Sequence, residues 1–389
     1  MTIAFEVSDR IKQLPPYLFV EIDRLKNEII AKGKDVIDLG IGDPDIPTPS
    51  VIIKALQKAV ENPQHHRYPS TSGMLSFRTA VANWAKNRFG ISLDPATEVV
   101  SLIGSKEGIA NMPLAYINPG DYVLVPNPGY PPYTSGTLFA GGIPYLMPLL
   151  AQNKFLPDLN AIPADIANKA KIMFLNYPNN PTAALATPEF FAEVVAFAKK
   201  YNIIVCHDAA YSEVCFDGYK APSFLETPGA REVGIEFHSL SKTFCMTGWR
   251  IGFAFGNPQI VAALAKVKSN IDSGAFQAIQ EAGITALTEG LAPAKNIYNV
   301  FERRRTMFVK GLKDIGLECD MVKATFYIWI KNPGKFSSAE LAKRLLEEAA
   351  LVLTPGNGFG KYGEGYIRAA LTVPEPRLQE AIDRIKSVL

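Results

Sequence analysis
Five short apolar runs, spaced so that a helix fits between each pair, constrain this chain more than any other feature. Glu98 to Ile103 (EVVSLI), Tyr122 to Val125 (YVLV), Ile172 to Leu175 (IMFL), Ile203 to Cys206 (IIVC) and Gly252 to Phe255 (GFAF) each read as a buried strand. The segment Pro188 to Lys200 places Phe190, Phe191, Val194, Val195 and Phe197 on one stripe. Thr187 stands before it as an N-cap, with Pro188 in the first turn. Strand, helix and strand in alternation predict an α/β fold with a mostly parallel central sheet and helices on both faces. From about Gly290 the pattern changes to a charged helix (Asn296 to Ile315), the strand-like KATFYIWI, and a helix from Ser338 to Ala350. That change predicts a smaller α+β domain. The expected division is 1–45 as an N-terminal arm and part of the small domain, 46–290 as the large domain, and 291–389 as the C-terminal small domain.

Charge and cysteine usage exclude several functions. Forty Lys and Arg against 38 Asp and Glu leave a net charge of +2, which gives no footprint for nucleic acid or an anionic membrane. The N-terminal MTIAFEVSDRIKQL has charges where a signal peptide needs an apolar run, and no stretch is long and apolar enough to span a bilayer. Cys206, Cys215, Cys245 and Cys319 lie far apart, with no CxxC pair and no His at ligand spacing, so they read as small buried hydrophobes. No metal is expected, and the chain reads as a soluble, cytoplasmic protein. The ERRR run at 302–305 reads as a solvated helix face. Gly358, Gly360 and Gly363 match GxGxxG, but too little chain follows for a dinucleotide-binding half, so the match reads as a loop.

Pro- and Gly-rich loops follow the strands, where open α/β sheets bind their ligands. Ser239, Ser241 and Lys242 (SLSK), followed by Arg250, could clasp a phosphate while the lysine forms an imine with an aldehyde. Asp208 ends an apolar strand, with Tyr211 three residues on. A carboxylate there can keep a pyridine nitrogen protonated, or simply cap the next helix. Asn180, in NYPNNPT, is a rigidly presented amide in what is otherwise a bland turn. Ser105 and Lys106 follow Gly104 at a helix start, a ready anion site.

In this order, these motifs resemble the fold-type I pyridoxal-phosphate aminotransferases over essentially the whole chain. The resemblance implies pyridoxal 5′-phosphate as cofactor, with Lys242 carrying its aldehyde, Asp208 partnering its ring nitrogen, and Tyr211 and Asn180 binding its phenolic oxygen. Ser105, Lys106, Ser239, Ser241 and Arg250 fall around the phosphate, and Tyr130, in PNPGYPPY, matches the aromatic that stacks on the ring. Tyr68 matches a tyrosine that reaches the neighbouring subunit's phosphate, so a homodimer with shared sites is implied. Arg368, in GYIRAAL, matches the arginine that forks onto the substrate α-carboxylate. Ala183 departs from the family, many of whose members have Gly after NPT.

Longer stretches, such as TFCMTGWRIG at 243–252 and TPGNGFGKYGEGYIR at 354–368, resemble the LL-diaminopimelate branch of that family. That branch makes LL-diaminopimelate from tetrahydrodipicolinate with glutamate as donor, on the lysine pathway. Tyr17, Gly42, Lys106, Tyr130, Asn180, Asn270 and Arg368 are the residues expected at the substrate. Alanine, aspartate or aromatic specificity, and a lyase on the same cofactor, stay open as alternatives. A non-enzymatic effector-binding module would need a basic DNA-binding arm, and only about 35 residues precede Val36.

Overall fold
The computed structural model describes residues 5–14 and 18–389. A two-residue strand, β1 (Ile37–Asp38), precedes a central sheet made of β2 (Val99–Leu102), β3 (Tyr122–Asn127), β4 (Ile143–Pro148), β5 (Ala170–Asn176), β6 (Ile204–Asp208), β7 (Gly234–Ser239) and β8 (Gly252–Gly256). Their order is β2-β8-β7-β6-β5-β3-β4, and β8 alone runs antiparallel to its neighbours. Alternate residues face opposite layers of helices: Ile172 and Phe174 one core, Met173 and Leu175 the other. All five expected strands are present. The periodicity overlooked β4, which is bracketed by prolines, and β7, whose GIEFHS is interrupted by Glu236 and His238.

The helix Pro188–Tyr201 starts where expected. Phe190 N donates to the Thr187 hydroxyl at 3.2 Å, and Asn202, at φ +55°, ends it. The C-terminal part carries the helix Leu291–Asp314, an antiparallel sheet and two further helices, Ser338–Ala349 and Glu375–Val388. Its strands are β9 (Tyr327–Lys331), β10 (Leu351–Val352), β11 (Thr354–Pro355) and β12 (Tyr366–Ala370), with β11-β12-β9 antiparallel and β1 pairing parallel with β10.

The ERRR run corrects the sequence reading. Arg304 and Arg305 are buried, not solvated. Arg304 grips Asp45 with two bonds of 2.6 and 2.8 Å, and Arg305 grips Asp217 with two of 2.9 Å. These pairs fasten the long helix to the loops that reach the sheet. Cys206 and Cys245 are buried, while Cys215 and Cys319 are only half-buried. The GxGxxG stretch forms two single 3₁₀ turns, Gly356–Phe359 and Lys361–Gly363, and opens no long helix. Among the described residues, no helix is long and apolar enough to cross a membrane, and no acidic, His or Cys cluster could hold a metal.

The polar residues of β7 form a buried knot under the ends of β6 and β7. The Glu236 carboxylate accepts from His207 Nδ1 (2.8 Å), His238 Nε2 (2.7 Å), Ser223 Oγ (2.9 Å) and Phe224 N (2.8 Å). Burial alone would raise its pKa, but the two imidazoles outweigh it and hold the carboxyl well below the usual range. An amide at this position cannot accept from both rings. Glu236→Gln is expected to cost about 3–5 kcal/mol in urea unfolding at neutral pH. Because the folded pKa is depressed, the wild-type advantage shrinks as pH falls below the ordinary value of 4.5. Equal stability at neutral pH would remove this role.

Candidate active site
The carboxyl ends of β5, β6 and β7 open onto a cavity of about 380 Å³, closed from the far side by β9 and β12. At one end the helix Ser105–Tyr116 begins after Gly104, at φ +74°. A Cβ on Gly104 would overlap Arg250 Nη2, so only bare backbone lets the guanidinium approach the helix start. Arg250 Nη1 donates to Thr247 O at 2.8 Å and reaches Ser241 Oγ at 3.5 Å, and Ser239 Oγ accepts from Ser241 N at 3.2 Å. Ser105, Lys106 and Thr247 line the same end. Hydroxyls, cations and a helix N-terminus together make a seat for a dianion.

Lys242 follows directly, in the turn Leu240–Thr243. Its Nζ donates to Gly42 O at 2.7 Å. Burial lowers its pKa, with Arg368 and Arg250 adding to the effect and Tyr327 and Asp43 opposing it. Asp208, at the end of β6, is 5% exposed. Its Oδ2 accepts from Tyr133 Oη at 2.8 Å and its Oδ1 from Ala210 N at 3.3 Å. Burial raises the Asp208 pKa, and those two donors pull it back toward the carboxylate.

Arg368 forms the other end. Its Nη1 donates to Asn180 Oδ1 at 2.7 Å and its Nη2 to Gly40 O at 2.6 Å. The guanidinium lies 4.1 Å from the Tyr327 ring centroid and 4.6 Å from that of Phe359. Its Nε is buried without a partner, so part of a five-donor fork stays unused. The NYPNNPT loop is stitched internally. Asn176 Nδ2 donates to Asp208 O at 2.7 Å, and Asn176 Oδ1 accepts from Asn180 N at 2.7 Å. Ala183 lies at φ +57°, which is the physical reason a glycine suits that position.

Gly42, Ser105, Lys106, Tyr130, Asn180, Asp208, Tyr211, Ser239, Ser241, Lys242, Arg250 and Arg368 thus come together around one cavity. Tyr68 and Asn270 do not line it. Tyr68 is 89% exposed, and Asn270 bonds back to Lys266 O at 2.8 Å on the surface. Tyr17 lies outside the described residues. Sequence reasoning missed Tyr133, Asn176 and Tyr327. The first two stand inside motifs that had been singled out, so their loops were a signal. Tyr327 had none beyond its place in an aromatic strand.

The sequence pattern of the aminotransferase class I and II family matches residues 34–385. The LL-diaminopimelate aminotransferase of Syntrophobacter fumaroxidans is 58% identical over 386 residues, covering 99% of this chain and 100% of that one. The enzyme of that name from Aquifex aeolicus is 57% identical over 384 residues, or 99% of each chain. Among solved structures, apo-BacF from Bacillus subtilis superimposes with a TM-score of 0.95 at 38% identity, over 100% of this chain and 99% of that one. A double mutant of Thermus thermophilus aspartate aminotransferase gives 0.92 at 27% identity, over 99% of this chain and 100% of that one.

An amine whose pKa is lowered by burial destabilises the fold that buries it. Between its folded pKa and the ordinary 10.5, wild-type stability should therefore rise with pH as Lys242 neutralises in the unfolded chain too. Lys242→Met, without cofactor, is expected to melt roughly 1–3 °C higher than wild type at neutral pH and to lack that slope. A lower melting temperature would contradict this.

Proposed function
The chain belongs to the class I and II aminotransferases, and on that premise we propose that it is a pyridoxal-phosphate enzyme of lysine biosynthesis. The reaction is amino transfer between LL-diaminopimelate and 2-oxoglutarate, with tetrahydrodipicolinate aminated at the expense of glutamate in the synthetic direction. The observation that carries the reading is one cavity with a guanidinium at each end, Arg250 and Arg368, and the Lys242 amine and Asp208 carboxylate between them. Eight near-full-length relatives at 52–58% identity that carry the LL-diaminopimelate aminotransferase name support the substrate.

The residues present fit pyridoxal phosphate. The bare backbone at Gly104, with Arg250, Ser105, Ser239 and Ser241, suits its phosphate, and the unused Arg368 Nε suits a carboxylate beyond it. When bound, the cofactor supplies an aldehyde carbon that carries the amino group and a ring that withdraws electrons. Lys242 Nζ, whose pKa burial lowers, would take the proton from the substrate Cα and deliver it to the cofactor's aldehyde carbon within the same half-reaction, the reverse half-reaction moving it the other way. Asp208 holds a proton on the ring nitrogen by charge. Asn180 gives its amide oxygen to Arg368, which leaves Nδ2 for the phenolic oxygen beside Tyr211. Tyr130 covers the ring face, and Arg368 forks onto the α-carboxylate.

We read residues 46–290 as the cofactor domain, and 291–389 with part of the segment before 46 as the small domain. The assembly we infer is a homodimer. Tyr68 (89% exposed), Ile271 (54%) and Phe276 (40%) lie on segments tied together by Gln277 Nε2, which donates to Arg67 O at 3.2 Å. An exposed apolar face next to Asn270 suits a second copy that receives Tyr68 and Asn270 at its site. Cysteines with no bridge among them are in keeping with a cytoplasmic setting.

A distal end that hydrogen-bonds both an ammonium and a carboxylate leaves buried partners unsatisfied when that stereocentre is inverted. Discrimination of about 10⁴ can follow. With 2-oxoglutarate as acceptor, LL-diaminopimelate is expected to exceed meso-diaminopimelate, alanine, aspartate and phenylalanine in kcat/KM. If alanine, aspartate or phenylalanine outpaces the LL isomer in initial rates, the substrate assignment falls and the aminotransferase class remains.

A further inference from the structure
We propose that Tyr327 is a positioning residue that couples the two ends of this site, its hydroxyl holding Tyr211 and its ring carrying Arg368. The proposal rests on the aminotransferase reading above. Tyr327 begins β9 opposite Ala370 of β12, which makes Arg368, two residues away, its diagonal neighbour on the same face. The guanidinium sits 4.1 Å from the ring centroid, and both residues are almost fully buried. A cation over an aromatic face is held most strongly when desolvated.

The hydroxyl does separate work. Tyr327 Oη and Tyr211 Oη share one hydrogen bond of 3.0 Å. Each hydroxyl has a single hydrogen. If Tyr211 gives its own to the cofactor's phenolic oxygen, the shared hydrogen must come from Tyr327. Donation into the Tyr211 oxygen then strengthens Tyr211 as a donor. Arg368 and Asp208 are the charged groups acting on Tyr211, and Asp43, Arg368 and Arg250 those acting on Lys242.

Tyr327 is also fixed in place. Its N–H donates to Thr325 Oγ1 at 3.1 Å, and Thr325, at φ +67°, is anchored through Val214 O at 2.8 Å. A Cβ on Gly42 would overlap Tyr327 Oη, so the tyrosine explains why residue 42 has no side chain. Gly42 O is the acceptor for Lys242 Nζ. One phenol therefore touches the segment that holds the lysine, the tyrosine at the ring oxygen, and the carboxylate-binding arginine.

The test compares wild type, Tyr327→Phe and Tyr327→Met, each loaded with pyridoxal phosphate. Two readouts need no turnover: the pH midpoint of the visible absorbance, and the Kd of glutarate as a non-reacting dicarboxylate. Weaker donation from Tyr211 leaves more negative charge on the phenolic oxygen, so the adduct's proton is retained to higher pH. Tyr327→Phe is expected to move the midpoint up by roughly half a unit or more while glutarate binding stays within about twofold. Tyr327→Met should show the same shift and weaken glutarate about tenfold. Should the Met variant not fold, Tyr327→Ile replaces it, and Tyr327→Phe decides the hydroxyl's part alone. A Phe variant that titrates like wild type, or one that loses glutarate as badly as the variant without a ring, overturns the coupling. So does a variant without a ring that binds glutarate as wild type does. A wild-type protein that forms no visible adduct overturns the aminotransferase reading itself.

Discussion
A carboxylate set in a dry place at the end of a buried strand is the constraint around which this molecule is organised. Asp208 is 5% exposed, and burial alone drives it toward the neutral acid. Two donors oppose that drive, Tyr133 Oη from the helix that follows β3 and Ala210 N from its own turn, while the NYPNNPT loop holds the Asp208 main-chain carbonyl through Asn176. Beneath it, His207 and His238 share the Glu236 carboxylate, so the residues before Asp208 and Ser239 are fixed by the same buried group. A cationic ring N–H placed against Asp208 would complete what the protein alone leaves unbalanced.

The opposite wall solves a similar problem with the opposite sign. Arg368 is buried between Tyr327 and Phe359, and its two short bonds run to Asn180 and Gly40, outside its own sheet, with a longer one of 3.4 Å to Thr354 Oγ1 within it. The cation is thus part of the joint between β12 and the loop after β5. A guanidinium that lines the cavity also ties the two sheets together. Arg304 and Arg305 repeat the device away from the cavity, fastening the long helix to Asp45 and Asp217.

Apolar runs and cap residues made much of this legible. The five strands needed only apolar side chains, and Thr187 with Pro188 marked a helix start that the structure reproduces. β7 was hidden because its buried positions hold Glu236 and His238, whose cost is offset by a network that no single stretch of sequence displays. Arg304 and Arg305 looked solvated for the same reason, since their partners lie 259 and 88 residues away in sequence. The site motifs were readable because SLSK, the Asp208 strand and NYPNNPT each keep their chemistry within a few residues. Tyr327 escaped because an aromatic strand does not declare which ring faces a ligand. That depends on the pairing of β9 with β12. Tyr68 and Asn270 do not line this chain's own cavity, and a single chain's fold gives them no part in the site.

The account stands on Asp208 acting by charge. The direct measurement is kcat for Asp208→Asn loaded with pyridoxal phosphate, beside the affinity and visible spectrum of the bound cofactor. The amide keeps the shape of the site but cannot hold a proton on the ring nitrogen. Turnover is expected to fall roughly a hundredfold or more while the cofactor stays bound. Near-normal turnover with an intact spectrum would contradict the account.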